Sequence, residues 1–176
     1  MRRLSRFRMP RISCGIFVVF AIASNAWAGP CLKCKHEPIN MPISLAVGTM
    51  VRTPEFLVKL TDYTIMVGVK RGLPLGELDC MMGITMMGNP DHCAMFHFET
   101  VLETESTVSD GDHIVAQGSV HGKDDRMAVS DDTPDRYLGT FVGEANKKYV
   151  VEVKFTKDGT PLNEFKPRLI VEMPNF

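Results

Sequence analysis

The sequence predicts an all-β protein, an antiparallel immunoglobulin-like β-sandwich that follows a cleaved signal peptide. Three observations carry this expectation. Apolar and polar residues alternate over short stretches, the period of two that marks strands. Turn-forming Gly, Pro, Asp and Asn residues separate those stretches. No stretch sustains the 3.6-residue period that a helical bundle requires. The composition, 44 % hydrophobic and 23 % charged over 176 residues, is that of a globular chain. The roughly 150 residues beyond the leader suit a single domain.

The elements follow in chain order. Residues 1–28 read as the signal peptide. Arg2, Arg3, Arg6, Arg8 and Arg11 form a positive start, Ile12 to Ala23 an apolar core, and Ala26-Trp27-Ala28 a small-residue cleavage site before Gly29. The apolar core is shorter than the roughly 20 residues of a membrane-spanning helix, so stable membrane insertion is not expected. Pro30 stands before Cys31 where a lipid-attachment signal wants a small residue. The expected location is periplasmic or secreted.

Residues 29–55 read as a proline-rich lead-in, with Pro30, Pro38 and Pro42, and residues 56–176 as the sandwich domain. Phe56 to Leu60 and Tyr63 to Val69 are expected strands, the second with Tyr63, Ile65, Val67 and Val69 on one face. Leu73 to Met87 contains Pro74, Gly76 and Gly83, so any helix there is short. Phe96 to Glu105 reads as a strand with a bulge. His113 to Val120 is a strand entered through Ser109-Asp110-Gly111-Asp112. Gly122 to Asp135 is a polar, solvated loop that holds Asp124, Asp125, Asp131, Asp132 and Asp135. Tyr137 to Val142 is a strand. Tyr149, Val151, Val153 and Phe155 define the inward face of the next strand. Asp158-Gly159 is expected to turn that strand into a C-terminal hairpin through a positive φ, with Leu169, Val171 and Met173 on the returning strand.

Charge narrows the function classes. Without the five leader arginines, fifteen basic residues face 21 acidic ones. A chain with that balance offers no diffuse positive field to nucleic acid. Five acidic residues in one loop do not reproduce the ordered oxygen ligands of a calcium loop.

Four cysteines remain after the leader: Cys31, Cys34, Cys80 and Cys93. An even count in an exported chain points to disulfides, with three connectivities open. Cys80–Cys93 is the preferred pair, closing a Met- and Gly-rich loop. Cys31 and Cys34 form a C-x-x-C among prolines, without the βαβ context of a redox motif. They are read as a local disulfide or a link to the body. Zinc is disfavoured, since Cys80 and Cys93 are too far apart for a second knuckle.

Between positions 80 and 97 lie five methionines, two histidines and two cysteines. Thioether, thiolate and imidazole donors suit Cu(I), and Met86, Met87, His92, Met95 and His97 would be the ligands. The competing reading is flexible methionine filling the core under a stapled loop, and it is the one preferred. No cofactor is therefore expected, with copper as the alternative. The sequence has no G-x-S-x-G elbow, H-E-x-x-H helix or glycine-rich phosphate loop. The expectation is an exported, non-catalytic binding or interaction protein of unknown ligand, a protein being one candidate partner. A periplasmic copper-type metal-binding protein using the Met/His/Cys-rich segment is the alternative.

From Tyr63 to Phe176 the chain resembles a group of uncharacterised secreted or lipid-anchored β-sandwich proteins of Gram-negative bacteria, a domain of unknown function. The likeness lies in Tyr63-Thr64-Ile65-Met66-Val67-Gly68-Val69-Lys70-Arg71, Arg136-Tyr137-Leu138-Gly139-Thr140-Phe141 and Asn146-Lys147-Lys148-Tyr149-Val150-Val151-Glu152-Val153. It continues through Thr160-Pro161-Leu162-Asn163 and Pro167-Arg168-Leu169-Ile170-Val171-Glu172. The resemblance implies a fold and an extracytoplasmic compartment, and it assigns no functional residue.

Overall fold

Among the described residues ten strands pair according to which residues alternate, with one helix packed beside them. The computed structural model describes residues 39–59, 61–85, 93, 99–122, 127–130 and 133–173. The signal peptide, Cys31 and Cys34 lie outside the described residues. The elements are β1 (Ile39–Pro42), β2 (Met50–Arg52), β3 (Phe56–Leu57), β4 (Thr61–Gly68), α1 (Leu75–Met82), β5 (Thr104–Asp110) and β6 (His113–Val120). They continue with β7 (Met127–Ser130), β8 (Thr133–Gly143), β9 (Lys148–Phe155), a 3-10 turn (Thr160–Phe165) and β10 (Arg168–Glu172).

Two antiparallel sheets form, ordered β1-β10-β4-β8-β7 and β2-β9-β5-β6, with β3 also pairing β9. The fold is an all-β sandwich. Its core is the set of inward residues of both sheets: Tyr63, Ile65 and Val67 of β4, Leu138 and Phe141 of β8, Val108 of β5, and Tyr149, Val151, Val153 and Phe155 of β9. At one end Phe141 stacks on Tyr63 at 5.3 Å and meets Tyr149 at 5.3 Å and Phe56 at 6.4 Å, joining the sheets through aromatic contacts. The two tyrosine hydroxyls each accept a backbone N–H, from Lys59 and Glu144 respectively.

Several sequence expectations change. The segment read as a lead-in supplies β1 and β2, which pair with β10 and β9, so the sandwich includes residues well before Phe56. β4 is buried on both faces from Tyr63 onward, not on one. It is the central strand of its sheet, and the register sets Met66 between Ile170 and Tyr137 and Thr64 between Glu172 and Thr140. Of the strand expected at 96–105, residues 96–98 lie outside the described residues, 99–103 are not strand, and β5 begins at Thr104. Leu102 is buried and Val101 donates its N–H to Met81, so this stretch covers α1 instead of joining a ladder. The bulge falls later, at Val115, which has no partner between Val108↔Ala116 and Ser109↔Ile114.

The expected loop 122–135 contains β7 and the start of β8, an antiparallel pair from Met127↔Arg136 to Ser130↔Thr133. A strand of four residues is too short for its period to stand out from the acidic residues around it. The C-terminal hairpin is also corrected. β9 and β10 lie in different sheets, and the 3-10 turn carries the chain between them with Leu162 and Phe165 buried. Gly159 has φ −95°, so its role is close approach: a Cβ there would stand 2.8 Å from Leu45 Cβ. The positive φ sits instead at Gly111, where φ is +61° and β5 turns tightly into β6.

Candidate functional site

The Met-rich segment meets the sandwich through α1, whose eight residues end at Gly83. Gly83 has φ +77°, and the chain closes there with Gly83 N–H on Cys80 O and Ile84 N–H on Asp79 O. This is the Schellman arrangement that glycine favours. A side chain is excluded by space as well: a Cβ would come within 2.5 Å of Thr100 Cγ2 and 2.7 Å of Gly122 O.

The reason for the crowding is Arg136. It projects from β8, is 0 % exposed, and is the largest fully buried side chain among the described residues. Its guanidinium donates Nη1 to Gly83 O and Nη2 to Gly122 O at 3.0 Å. A buried cation is thereby set on the carbonyl end of α1, where the helix dipole is negative. One side chain ties α1, the segment after β6 and β8 together. Sequence reasoning missed it, because an arginine at the edge of an acidic stretch reads as a surface residue.

The same helix carries the staple. Cys80 and Cys93 form a disulfide with Cα atoms 5.3 Å apart, as the residue spacing predicted. Met81 and Met82 of this segment are buried in the core, 9 % and 0 % exposed. These two methionines act as packing. Met86, Met87, His92, Met95 and His97, the proposed copper ligands, lie outside the described residues. Among the described residues no group of three His, Cys, Asp or Glu side chains converges as a metal site would require.

Asp135 lies beside Arg136 on the opposite face of β8 and corrects the solvated-loop expectation for that residue. It is 6 % exposed and packs over Gly68, whose Cβ position would fall 2.3 Å from Asp135 Oδ1. Burial pushes its carboxyl up to about 6, with the nearby Glu172 carboxylate adding to the rise and a hydrogen bond from Thr133 opposing it.

The open part of the molecule is the edge formed by β6. The other outer strands are short: four residues in β1, four in β7, three in β2 and two in β3. β6 has eight residues, His-Ile-Val-Ala-Gln-Gly-Ser-Val, with no proline, acid, lysine or arginine. Proteins ordinarily protect a long free edge with such residues. Ile114 is 61 % exposed and Val115 45 %. The bulge at Val115 turns both side chains to solvent beside the β5–β6 turn. Among the described residues nothing pairs with the outer side of this strand.

These features define a class: a two-sheet antiparallel sandwich with one disulfide-pinned helix packed at its end and one long unprotected edge. No family model matches the sequence, and no curated protein matches it. A crystal structure of a protein from Sulfurospirillum deleyianum is similar in fold, with a TM-score of 0.51 at 14 % identity. The match covers 80 % of this chain and 99 % of that one.

Proposed function

We propose that this is an exported, non-catalytic interaction protein that receives an extended segment of a protein partner along β6. The observation that carries the reading is the β6 edge: eight residues long, without Asp, Glu, Lys or Arg, and with Ile114 and Val115 exposed on it. Strand addition uses such an edge, with main-chain hydrogen bonds supplying affinity and alternate side chains selectivity. Export is supported by the arginine-rich start, the short apolar core and Ala26-Trp27-Ala28. The Cys80–Cys93 disulfide fits an oxidising compartment such as the periplasm.

The test is site-specific photocrosslinking in the producing cell, with the probe at Gln117 on β6 or at Lys154 on β9, both exposed. A discrete adduct at 117, absent at 154 and lost when Ile114 and Val115 are changed to lysine, is the expected result. The same adduct pattern at both positions, or none at 117, overturns the proposal. The mass of the adduct separates a second copy of the chain from a different protein.

A further inference from the structure

Away from the β6 edge, the end of β1, the second residue after β4, the 3-10 turn and the start of β10 line a groove of about 390 Å³. It is lined by Pro42, Ile43, Lys70, Asn163, Lys166, Pro167 and Arg168. Three of these are cations and none is an acid. That is unexpected in a chain whose residues beyond the leader are net acidic.

Several described cations outside the groove are neutralised, though Lys59 and Arg71 have no carboxylate partner among the described residues. Arg52, Lys147, Lys148, Lys154 and Lys157 each pair with a carboxylate. Lys70, Lys166 and Arg168 pair with no carboxylate among the described residues. Arg168 donates Nη2 to Asn40 O at 3.1 Å, and its Nε is buried without a hydrogen-bond partner. Three cations lining one groove with no carboxylate partner among the described residues favour an anionic acceptor there.

The walls are held by the fold. Lys70 N–H bonds Phe165 O at 2.7 Å, Ile43 N–H bonds Pro167 O at 3.1 Å, and Asn163 Oδ1 accepts Leu45 N–H at 3.0 Å. Lys166 occupies the left-handed region, φ +53° and ψ +61°, at the end of the 3-10 turn. Glycine would sit there without strain, and lysine is present instead.

We propose that this groove binds the phosphate group of a small anion. Its volume lies in the range of small-molecule sites, roughly 300–1,000 Å³. The guanidinium of Arg168, anchored through Nη2 on Asn40 O, adds a fixed planar donor, and Lys70 and Lys166 contribute point charges. A phosphomonoester or pyrophosphate carries two to three negative charges, about equal to the three cations present.

Calorimetric titration of the purified protein with inorganic pyrophosphate and inorganic phosphate tests the site, with sodium chloride at matched ionic strength as control. Vesicles of phosphatidylcholine, with and without phosphatidic acid, form a second arm. Saturable one-to-one binding of pyrophosphate is expected, weakened at least about tenfold by Lys70→Gln with Lys166→Gln. Arg168→Lys, which keeps the charge and loses the planar donor, weakens it as well. Lys166→Gly is expected to lose affinity while the melting temperature holds or rises, which a purely structural lysine would not show. Binding of phosphatidic-acid vesicles alone, lost in the same double variant, retains the site and assigns the phosphate to a lipid headgroup. No saturation with any probe, equal binding by the double variant, or a signal reproduced by chloride overturns the proposal.

Discussion

A single β-strand of this protein shows how sharply position decides the consequence of a charge. Val153 is 0 % exposed on β9, while Lys154 points to solvent and pairs with Glu105 at 3.4 Å. Val153→Asp buries an unpaired carboxylate and is expected to cost several kcal/mol, of order 3–5. Lys154→Asp loses a surface ion pair and gains a like-charge neighbour, about 1 kcal/mol or less. Urea denaturation of the two variants measures the contrast, and equal losses would mean that the outer face of β9 is also enclosed.

Asp135 makes a second residue-scale prediction, this one in pH. Its folded pKa of about 6 lies above the unfolded value of 3.8, so the folded chain holds the proton more tightly. Stability contributed by the neutral carboxyl is complete below pH 4 and is lost as pH rises through 6, of order 2–3 kcal/mol. Asp135→Asn is expected to flatten the pH 4–6 dependence of the melting temperature. An unchanged slope in that variant would assign the dependence to other groups. Arg136→Met belongs beside it: Gly83 O and Gly122 O would lose their buried donor, at a cost of about 2–5 kcal/mol.

At the scale of elements, α1 is short, and its eight residues would not persist alone in water. It is held from outside by the Arg136 guanidinium on its C-terminal carbonyls and by Cys80–Cys93, 13 residues apart. Cys80→Ser with Cys93→Ser is expected to lower the unfolding free energy by about 2–3 kcal/mol, since the loop closed is short. A loss confined to α1, seen as local amide exchange without a shift of the global transition, would mean that the helix unfolds apart from the sandwich. The inward face of β9 and the brevity of α1 were legible in the sequence, because alternation and helix breakers are local signals. The β7–β8 pair was not, because β7 is only four residues long and is set among aspartates, too short for a period to show. Arg136 was equally hidden, since the carbonyls that satisfy it come from Gly83 and Gly122, 53 and 14 positions away in the chain.

For the whole molecule, processing before Gly29 is the expected outcome, and the intact mass of the exported protein checks it. Retention of Trp27 would exclude the proposed cleavage site. The first and last described strands, β1 and β10, lie side by side from Ile39↔Val171 to Pro42↔Arg168, at one edge of their sheet. Alternating residues, turn chemistry and cysteine spacing sufficed for the class of fold, the inward face of β9 and the Cys80–Cys93 pair, since each depends on neighbours in the chain. Only the tertiary structure decided which strands share a sheet, that Asp135 and Arg136 are buried, and that β6 is left open. Those outcomes depend on residues distant in sequence, where pairing and burial are settled by the packing of the whole sandwich.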